Sequence, residues 1–525
     1  MDLIKKNIHM NREKANVYTQ VVLEEDVNIS DQKPDAKRII TQKGKVQIED
    51  VQKGTDRTIV KGNLEYAVLY LTDEENARPC FIKGVIPFEE TLHMEGVDGT
   101  EEIRIYTAIE DLQAGLINSR KVSIQALLGI QIKAEELYDE ELVADIISDD
   151  AIAMQKNVMD VTSLAVNMKD LYRVREEVEL PSGMPNIYDI IWTDYALHDM
   201  DFRVMEGQIA ITGELHMFIL YEGEEEEDSI QYFECARPFS GNLSLSDCRE
   251  NMIDAITHDV EHMEIEPRTD YDGEERVFAI DMALNIYVRL LENHQIQVVD
   301  DLYGYKENVE SIKRPSLCNA LVSRNTAKKR IQENIVVSKN RESITQILHV
   351  NGELIEKNTG IKEDEVKVTG VWKAMVLAKS TGKEGEIICQ EKNIPYEIIV
   401  PLSGIVNEND KENTMRVTAD TLIERMDATI LKNNEIELKA VIKTTVNVFA
   451  GKQNGVLSEV KITPFLPNSF DKTPGMAVYF AKKGDTLWNV GKQYRVPLDE
   501  LRTNNHLSKD SLEQGQKILV VKTLV

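Results

Sequence analysis

The stretch V-K-G-N-L-E-Y-A-V-L-Y, residues 60–70, is typical of a β-strand. It is rich in β-branched and aromatic residues, and its glycine stands where a strand bends or where another backbone comes close. Matching stretches occur twice more, as I-T-G-E-L-H-M-F-I-L-Y at 211–221 and as V-T-G-V-W-K-A-M-V-L-A at 368–378. The chain is therefore predicted to contain three copies of one β-domain.

Four landmarks keep one register in all three copies. They are a glutamate, an apolar residue that follows an isoleucine, a glycine, and a proline followed by an aromatic residue. They stand at Glu25, Ile40, Gly62 and Pro87 in the first copy, at Glu176, Ile191, Gly213 and Pro238 in the second, and at Glu333, Leu348, Gly370 and Pro395 in the third. Chance does not plausibly produce four landmarks in fixed register three times.

A second strand recurs near the end of each copy, at 122–132, 278–288 and 436–446. Apolar residues alternate strictly there, which indicates a strand with one buried face. Each copy is therefore predicted to be a compact antiparallel β-domain of the sandwich type. The predicted fold class is mainly β, with three tandem antiparallel, sandwich-like repeat domains followed by a small βααβ domain.

These patterns also predict where the domains begin and end. The predicted parts are an N-terminal segment at 1–20, β-domains at 21–146, 174–304 and 330–463, connectors at 147–173 and 305–329, a linker at 464–475, and a C-terminal domain at 476–525. The first connector is expected to begin as a helix, because apolar residues in 149–177 are spaced nearer to three or four than to two.

Charge and composition exclude several classes of function. The chain carries 61 basic and 91 acidic residues, a formal net charge of −30, which argues against binding nucleic acid or an anionic membrane. It contains no apolar run long enough for a membrane span. The first residues lack the apolar segment of a signal peptide, and the five cysteines are scattered and odd in number. An intracellular protein with reduced thiols is expected.

One motif raises the alternative of a zinc hydrolase. His258, Glu261 and His262 fit H-x-x-E-H, in which two histidines on a helix bind zinc and the glutamate acts as a base. However, the other copies have a glutamate at the equivalent position, Glu110 and Glu424, whereas both histidines occur only in the second copy. The segment is also more strand-like than helical. No triad or phosphate-binding loop is recognisable, so no enzymatic activity, metal or cofactor is predicted.

The C-terminal residues 477–522 predict a strand, two short helices and a closing strand. Asp485 or Thr486 is placed to cap the first helix, and Pro497 lies in the first turn of the second. The motifs G-D-T-L-W, Y-x-V, L-x-x-x-N and L-x-x-G-Q make this segment resemble a LysM domain, although Val520-Val521 replaces the usual Ile-Pro.

The resemblance implies a shallow groove that binds N-acetylglucosamine-containing glycan. The residues that the resemblance assigns to this groove are Gly484, Asp485, Thr486, Leu487, Trp488, Asn505, Leu507 and Ser508. Structural roles are the alternative: Asp485 and Thr486 as caps, Leu487 in the core and Trp488 packed on a neighbour. Paired lysines and Arg495 make this face basic. A groove reused for a protein partner is favoured over glycan, because no route to a cell wall is predicted for the chain.

Three β-repeats followed by one LysM domain resemble the SipL family of spore-coat morphogenetic proteins, built of tandem SPOCS domains with a LysM tail. The resemblance implies a scaffold of an endospore-forming bacterium, located in the mother-cell cytoplasm at the forespore surface or spore coat. It further implies docking through LysM to the coat's base-layer ATPase, stage IV sporulation protein A, and contact with other coat proteins. A peptidoglycan-binding cell-wall protein remains the alternative.

Overall fold

The computed structural model of the 525-residue chain describes residues 2–74, 77–148, 151–224, 230–336, 343–362, 364–381, 387–402, 414–432, 435–464 and 475–521. These residues form long antiparallel strands, with two short helices near the C-terminus. The strands fall into three consecutive groups of six, which are called repeats 1, 2 and 3.

The strands of repeat 1 are β1 (Asp2–Asn28), β2 (Ala36–Gly54), β3 (Arg57–Thr72), β4 (Pro79–His93), β5 (Glu102–Asn118) and β6 (Lys121–Ile147). Those of repeat 2 are β7 (Ile152–Glu179), β8 (Ile187–Met205), β9 (Gln208–Gly223), β10 (Ile230–Ser244), β11 (Ile253–Thr269) and β12 (Glu275–Gly304). Those of repeat 3 are β13 (Asn308–Val336), β14 (Ile344–Lys362), β15 (Glu365–Ser380), β16 (Ile387–Pro401), β17 (Thr414–Ile430) and β18 (Glu435–Thr463).

Each repeat is a sandwich of two three-stranded sheets. The first, sixth and fifth strands form one sheet and the second, third and fourth form the other, in the same order in all three repeats. Each sandwich encloses its own apolar core. The strictly alternating segments of the sequence are the first halves of β6, β12 and β18, which are the central strands. The prediction of a mainly β chain with three antiparallel repeats is confirmed.

The glycine and the aromatic residue of the repeat landmarks are cross-strand partners. Gly62 lies opposite Phe88, and a Cβ atom on this glycine would stand 2.8 Å from the Phe88 ring. Gly213 and Gly370 face Phe239 and Tyr396 in the same way. The ring covers the bare backbone of the glycine, so neither landmark can change without the other.

The apolar pair of each landmark is a β-bulge that serves two cores. Ile39 pairs with Tyr70 and Thr41 with Leu69, which leaves Ile40 as the extra residue. Ile39 packs against the core of its own sandwich, while Ile40 points into a different core. The bulge therefore lets two consecutive side chains contact two different cores. The equivalent extra residues are Ile191 and Leu348.

The three bulged residues meet where the repeats come together. Ile40, Ile191 and Leu348 belong to one buried cluster, which also contains Leu69, Leu220 and Leu377 at equivalent positions of the third strands. Because equivalent residues of all three repeats share one cluster, the repeats surround an approximate threefold axis. We call this cluster the central core.

The long strands continue beyond each sandwich as two-stranded ribbons. A β-bulge marks the boundary between sandwich and ribbon in each repeat. Its extra residue is Lys14 in β1, Ala165 in β7 and Val322 in β13. The three ribbons pack together through a second set of shared apolar clusters. Equivalent members are Leu142, Val298 and Val456, and then Val143, Val299 and Leu457.

The segments predicted to lie between domains are part of these strands. The predicted N-terminal segment 1–20 and connectors 147–173 and 305–329 lie largely in β1, β7 and β13. The expectation of a helix at the start of the first connector is wrong. Residues 161–164 are all buried because the ribbon packs on both faces, and the bulge at Ala165 then shifts the register. Period-two alternation is therefore lost within a continuous strand.

Charged and polar residues lie beside the central core, where the repeats contact one another. Lys43, Asp194 and Asn351 occupy equivalent positions of β2, β8 and β14. Lys43 donates to the carbonyl oxygen of Thr193 in repeat 2, and Asp194 lies 3.4 Å from the imidazole of His349 in repeat 3. The repeats are thus joined by buried ion pairs as well as by apolar contacts.

The C-terminal domain consists of β19 (Met476–Phe480), α1 (Leu487–Tyr494), α2 (Leu498–Asn505) and β20 (Lys517–Val521). The two strands pair antiparallel, and both helices pack on one face of them. This is the predicted βααβ order. In the described part of the chain, neither helix has the length or the apolar character that a membrane span requires.

Candidate functional site

The two loops to which the LysM resemblance assigns the groove lie side by side in the C-terminal domain, and backbone hydrogen bonds join them. Leu487 N–H donates to the carbonyl oxygen of Asp510 (2.8 Å), and Leu512 N–H donates to that of Asp485 (3.3 Å). Gly484, in the first loop, has a φ of +92°, a conformation that favours glycine. The space beside the Gly484 Cα is empty, since no atom lies within 4 Å of the position that a Cβ would occupy.

Asp485 and Thr486 shape the first loop. The Asp485 carboxylate accepts hydrogen bonds from the Tyr479 hydroxyl (2.6 Å) and from the Lys482 backbone N–H (2.8 Å). These two bonds, the Tyr479 bond first, hold the pKa of Asp485 below its usual value. Thr486 is the N-cap of α1, and its hydroxyl accepts from the Asn489 backbone N–H. Both predicted groove residues therefore have structural roles.

Asn505 fastens the closing strand to the second helix. Its side-chain N–H groups donate to the carbonyl oxygens of Leu501 and Leu519, and its oxygen accepts from the Leu519 backbone N–H. All three bonds are 2.6–2.9 Å long. Both side-chain N–H groups of Asn505 are therefore committed to the backbone, and only the second lone pair of its oxygen is left for a ligand. The asparagine of the motif L-x-x-x-N therefore has a structural role in this domain, since it joins α2 to β20.

The remaining groove residues divide between core and surface. Leu487 is fully buried, and Leu507 packs partly buried against the same core. Ser508 is exposed beside Gly484's loop, together with Lys482, Lys483 and Lys509. The side chains that solvent can reach at this groove are therefore mainly a serine and lysines.

Trp488 is turned away from the groove and packs on repeat 2. Its side chain is buried, and its indole N–H donates to Asp301 (2.9 Å) at the end of β12. The Lys492 ammonium binds both oxygens of the same carboxylate at 2.7 Å. Burial acts to raise the pKa of Asp301, but Lys492 and Trp488 outweigh it and hold that pKa below its usual value. Two roles were open for Trp488, contact with a glycan and packing on a neighbouring domain, and packing is the one observed.

Tyr303 completes this contact. Its ring lies edge-on to Trp488, with 5.0 Å between ring centroids, and its hydroxyl donates to the carbonyl oxygen of Val496 (2.8 Å). A Cβ on Gly491 would stand 2.5 Å from the Tyr303 oxygen, so this helix position requires glycine. We call these residues, with Asp301 and Lys492, the LysM contact.

The repeats themselves determine which of them carries the LysM contact. The positions equivalent to Asp301 are Asp145 and Glu459, so an acidic residue is present in every repeat. The positions equivalent to Tyr303 are Ile147 and Lys461, which lack a hydroxyl and an aromatic ring. Only repeat 2 combines both groups. This comparison was available in the sequence, but nothing in it indicated that these positions meet the C-terminal domain.

The H-x-x-E-H motif lies in β11 and cannot form the helical zinc site. Val260 pairs with Leu284 and His262 with Ala283, so Glu261 is the extra residue of a bulge. Without the bulge, residues 258 and 262 would share a face of the strand; with it, they point to opposite faces. His258 packs on the Phe202 ring at 5.6 Å, whereas His262 is exposed.

The glutamate of the H-x-x-E-H motif has an equivalent in the other two repeats, and it is the extra residue of a bulge in all three. Glu110 and Glu424 are the extra residues of β5 and β17. Their carboxylates reach across the central strand to the opposite outer strand, where Tyr18 and Lys328 bind them. Within the described residues, no group of three histidine, cysteine or carboxylate side chains is arranged to hold a metal ion.

Comparison with known proteins identifies both parts of the chain. Residues 35–117 and 186–268 match the SPOCS domain of SipL, and residues 479–521 match the LysM domain. Over 43 residues the chain is 40% identical to the uncharacterized protein YkzQ of Bacillus subtilis (strain 168). That match covers 8% of this chain and 57% of YkzQ. No solved structure matches the chain.

The matched ranges agree with the repeats seen in the structure. The two SPOCS matches cover β2–β5 of repeat 1 and β8–β11 of repeat 2, which include the isoleucine, glycine and proline landmarks but not the glutamates. Repeat 3 lies outside the matched ranges but has the same strand order and the same bulges. Domains of these two kinds serve in binding and scaffolding rather than in catalysis.

Proposed function

We propose that this chain, whose SPOCS and LysM matches follow the domain order of the SipL type, is a non-enzymatic scaffold for spore-coat assembly. It acts in the mother-cell cytoplasm at the forespore surface. Its LysM domain docks to the base-layer ATPase of the coat, stage IV sporulation protein A, and its repeats contact other coat proteins.

The observation that carries this proposal is the fixed position of the LysM domain. The LysM contact holds α1 and the turn before α2 against repeat 2. The groove loops lie elsewhere on the domain, and Lys482, Lys483, Gly484 and Ser508 in them are exposed. The LysM domain is therefore held on repeat 2 in one orientation, and its groove loops stay exposed.

Such an arrangement suits assembly on a polymerised layer. A groove in fixed orientation loses less entropy on docking than one on a freely moving domain. Three repeats on the same chain then hold further contacts at high effective concentration. The exposed groove lysines favour an acidic protein surface over an uncharged glycan.

A second candidate, binding of peptidoglycan, is favoured by the intact backbone of the LysM loops. The left-handed Gly484 and the hydrogen-bonded pairing of the two loops keep the shape that the LysM motif encodes. A shallow groove of this kind can accept a sugar through backbone groups alone.

Co-sedimentation separates the two candidates. The full chain is mixed with polymers of purified stage IV sporulation protein A, and separately with purified peptidoglycan. Ser508→Glu and Lys483→Glu alter exposed groove positions, and Gln493→Glu, exposed on α1, serves as the control. We expect the chain to pellet with the polymer, and both groove variants, but not the control, to bind at least ten-fold more weakly.

Pelleting with peptidoglycan alone would assign the groove to glycan. Pelleting with neither, or with the polymer equally well for all variants, would contradict docking through the groove. Asp485 and Asn505 are unsuitable for this test, since their bonds hold the loop and the closing strand.

A further inference from the structure

The LysM sheet has a second apolar face, on the side away from the helices. Residues of β19 alternate strictly: Ala477 and Tyr479 face the domain core, as does Ala481 directly after the strand, while Met476, Val478 and Phe480 point outward. These three outward side chains are 63%, 52% and 57% exposed. A five-residue strand that is apolar on both faces is unusual in a small domain with one core.

The neighbouring strand extends this apolar face. In the antiparallel register Met476 lies opposite Val521, and Val478 opposite Leu519. Both β20 residues are half-buried. Cross-strand partners share a face of the sheet, so four apolar side chains form one continuous surface next to Phe480.

One backbone edge of this sheet is open. In the described chain, β19 pairs with β20 and with no other strand. Its other edge therefore presents unpaired N–H and C=O groups beside the apolar side chains, which is the geometry that accepts an added strand.

Lysines cluster at one end of this face. Lys517 stands over the Phe480 ring, with its ammonium 5.8 Å from the ring centre, and Lys482 and Lys483 follow β19 directly. All three are exposed, and among the described residues no carboxylate forms an ion pair with them. This cluster is positive on a chain whose net charge is −30.

We propose that the open edge of β19 docks an extended segment of another protein, in which apolar and acidic side chains alternate. The segment adds to β19 as a third strand. Its apolar side chains cover Met476, Val478 and Phe480, and its carboxylates pair with Lys482, Lys483 and Lys517. The strand edge and its apolar face lie outside the groove, although Lys482 and Lys483 border both, so the inference goes beyond the proposed function.

Charge decides between this occupant and a second copy of the chain. A second copy of β19 (Met476–Phe480) contains no acidic residue, so two copies paired through this strand would leave the three lysines without carboxylate partners from it. An acidic segment turns the same lysines into ion pairs. The opposite side of the domain is not available, because the LysM contact already covers it.

The test uses a fluorescein-labelled ten-residue synthetic peptide of alternating valine and glutamate, titrated with the full chain and followed by anisotropy. One control peptide carries lysine in place of glutamate, and another is N-methylated at alternate residues, which blocks strand pairing. Val478→Glu is the test variant, and Val22→Glu, at an exposed valine of β1, is its matched control.

We expect saturable binding of the glutamate peptide, at least ten-fold weaker binding of both control peptides and of Val478→Glu, and unchanged binding by Val22→Glu. No saturable binding, or equal binding by Val478→Glu, would overturn the proposal. So would a dimer in sedimentation that Val478→Glu dissociates, since the face would then belong to a second copy.

Discussion

The indole N–H of Trp488 lies 2.9 Å from the carboxylate of Asp301, although the two residues are 187 positions apart in the chain. This hydrogen bond joins the LysM domain to repeat 2, and Lys492 binds the same carboxylate. A residue that the LysM resemblance assigned to the groove is therefore part of a contact between domains. The LysM domain is therefore part of the folded body, and the first prediction tests this contact.

Weakening the LysM contact should loosen α1. Trp488→Phe keeps the ring but removes the N–H, which deprives a charged acceptor of one hydrogen bond, a loss of about 1.5–3 kcal/mol. We expect native-state hydrogen exchange of the α1 amides to accelerate accordingly. Gln493→Ala, exposed on the same helix, is the control and should leave exchange unchanged. Equal exchange in wild type and Trp488→Phe would show that the contact does not stabilise the domain.

The landmark glycine should tolerate no side chain. In Gly62→Ala the new Cβ would lie 2.5 Å from the Gln47 carbonyl oxygen and 2.8 Å from the Phe88 ring, so repeat 1 should lose about 1–3 kcal/mol of its free energy of unfolding. Gly115→Ala in β5 is the matched control, because its nearest neighbour is the Ser123 hydroxyl at 3.4 Å. We expect urea unfolding to show a lower midpoint for the first variant only. Equal midpoints would contradict the packing of Phe88 on Gly62.

Stability should fall at alkaline pH through His349. Burial acts to lower the pKa of this imidazole, but ion pairs with Asp194 and Glu234 outweigh it and raise the pKa from 6.5 to about 9. A raised pKa means that the contribution is complete below 6.5 and is lost as the pH rises through about 9.

The measurement is the urea midpoint of wild type and His349→Gln between about pH 6 and pH 10. Lys43 and Glu353 also face Asp194 and titrate in the folded protein, so only the difference between the two proteins isolates His349. We expect this difference to shrink as the pH rises. A difference that stays constant would mean that His349 does not carry the charge that joins repeats 2 and 3.

Asn505 should behave as a structural residue. Asn505→Ala removes three hydrogen bonds and leaves the Leu519 backbone groups without their partner, at a cost of about 1–3 kcal/mol. We expect faster hydrogen exchange in β20, whereas Asn504→Ala at the exposed neighbouring position should have no effect. Unchanged hydrogen exchange of β20 in Asn505→Ala would contradict the structural role and favour the alternative that Asn505 binds a ligand.

The sandwiches and the LysM domain could be predicted because their signals are local. Alternation at 122–132 reflects one face on one core, and the cap at Thr486 lies within one turn of the helix that it begins. The landmark Ile39-Ile40 was visible as a pair, but its reason was not. Only the assembled repeats show that the second isoleucine belongs to the central core.

Three features could not be predicted, each for a physical reason. The ribbons lose alternation because both of their faces are buried and a bulge at Ala165 shifts the register. The partnership of Trp488 with Asp301 and Tyr303 depends on how distant segments pack, and no periodicity encodes it. The groove assignment of Trp488 followed the LysM pattern, which cannot register that this chain supplies a neighbouring domain for the ring.

Recruitment of the chain in sporulating cells tests the central claim most directly. A fluorescent fusion of the full chain is compared with one that lacks 476–525, after hydrogen exchange has confirmed that the truncated repeats stay folded. We predict a shell of fluorescence around the forespore for the full chain and diffuse fluorescence in the mother cell for the truncated one. A truncated chain that forms the same shell would contradict docking through the LysM domain.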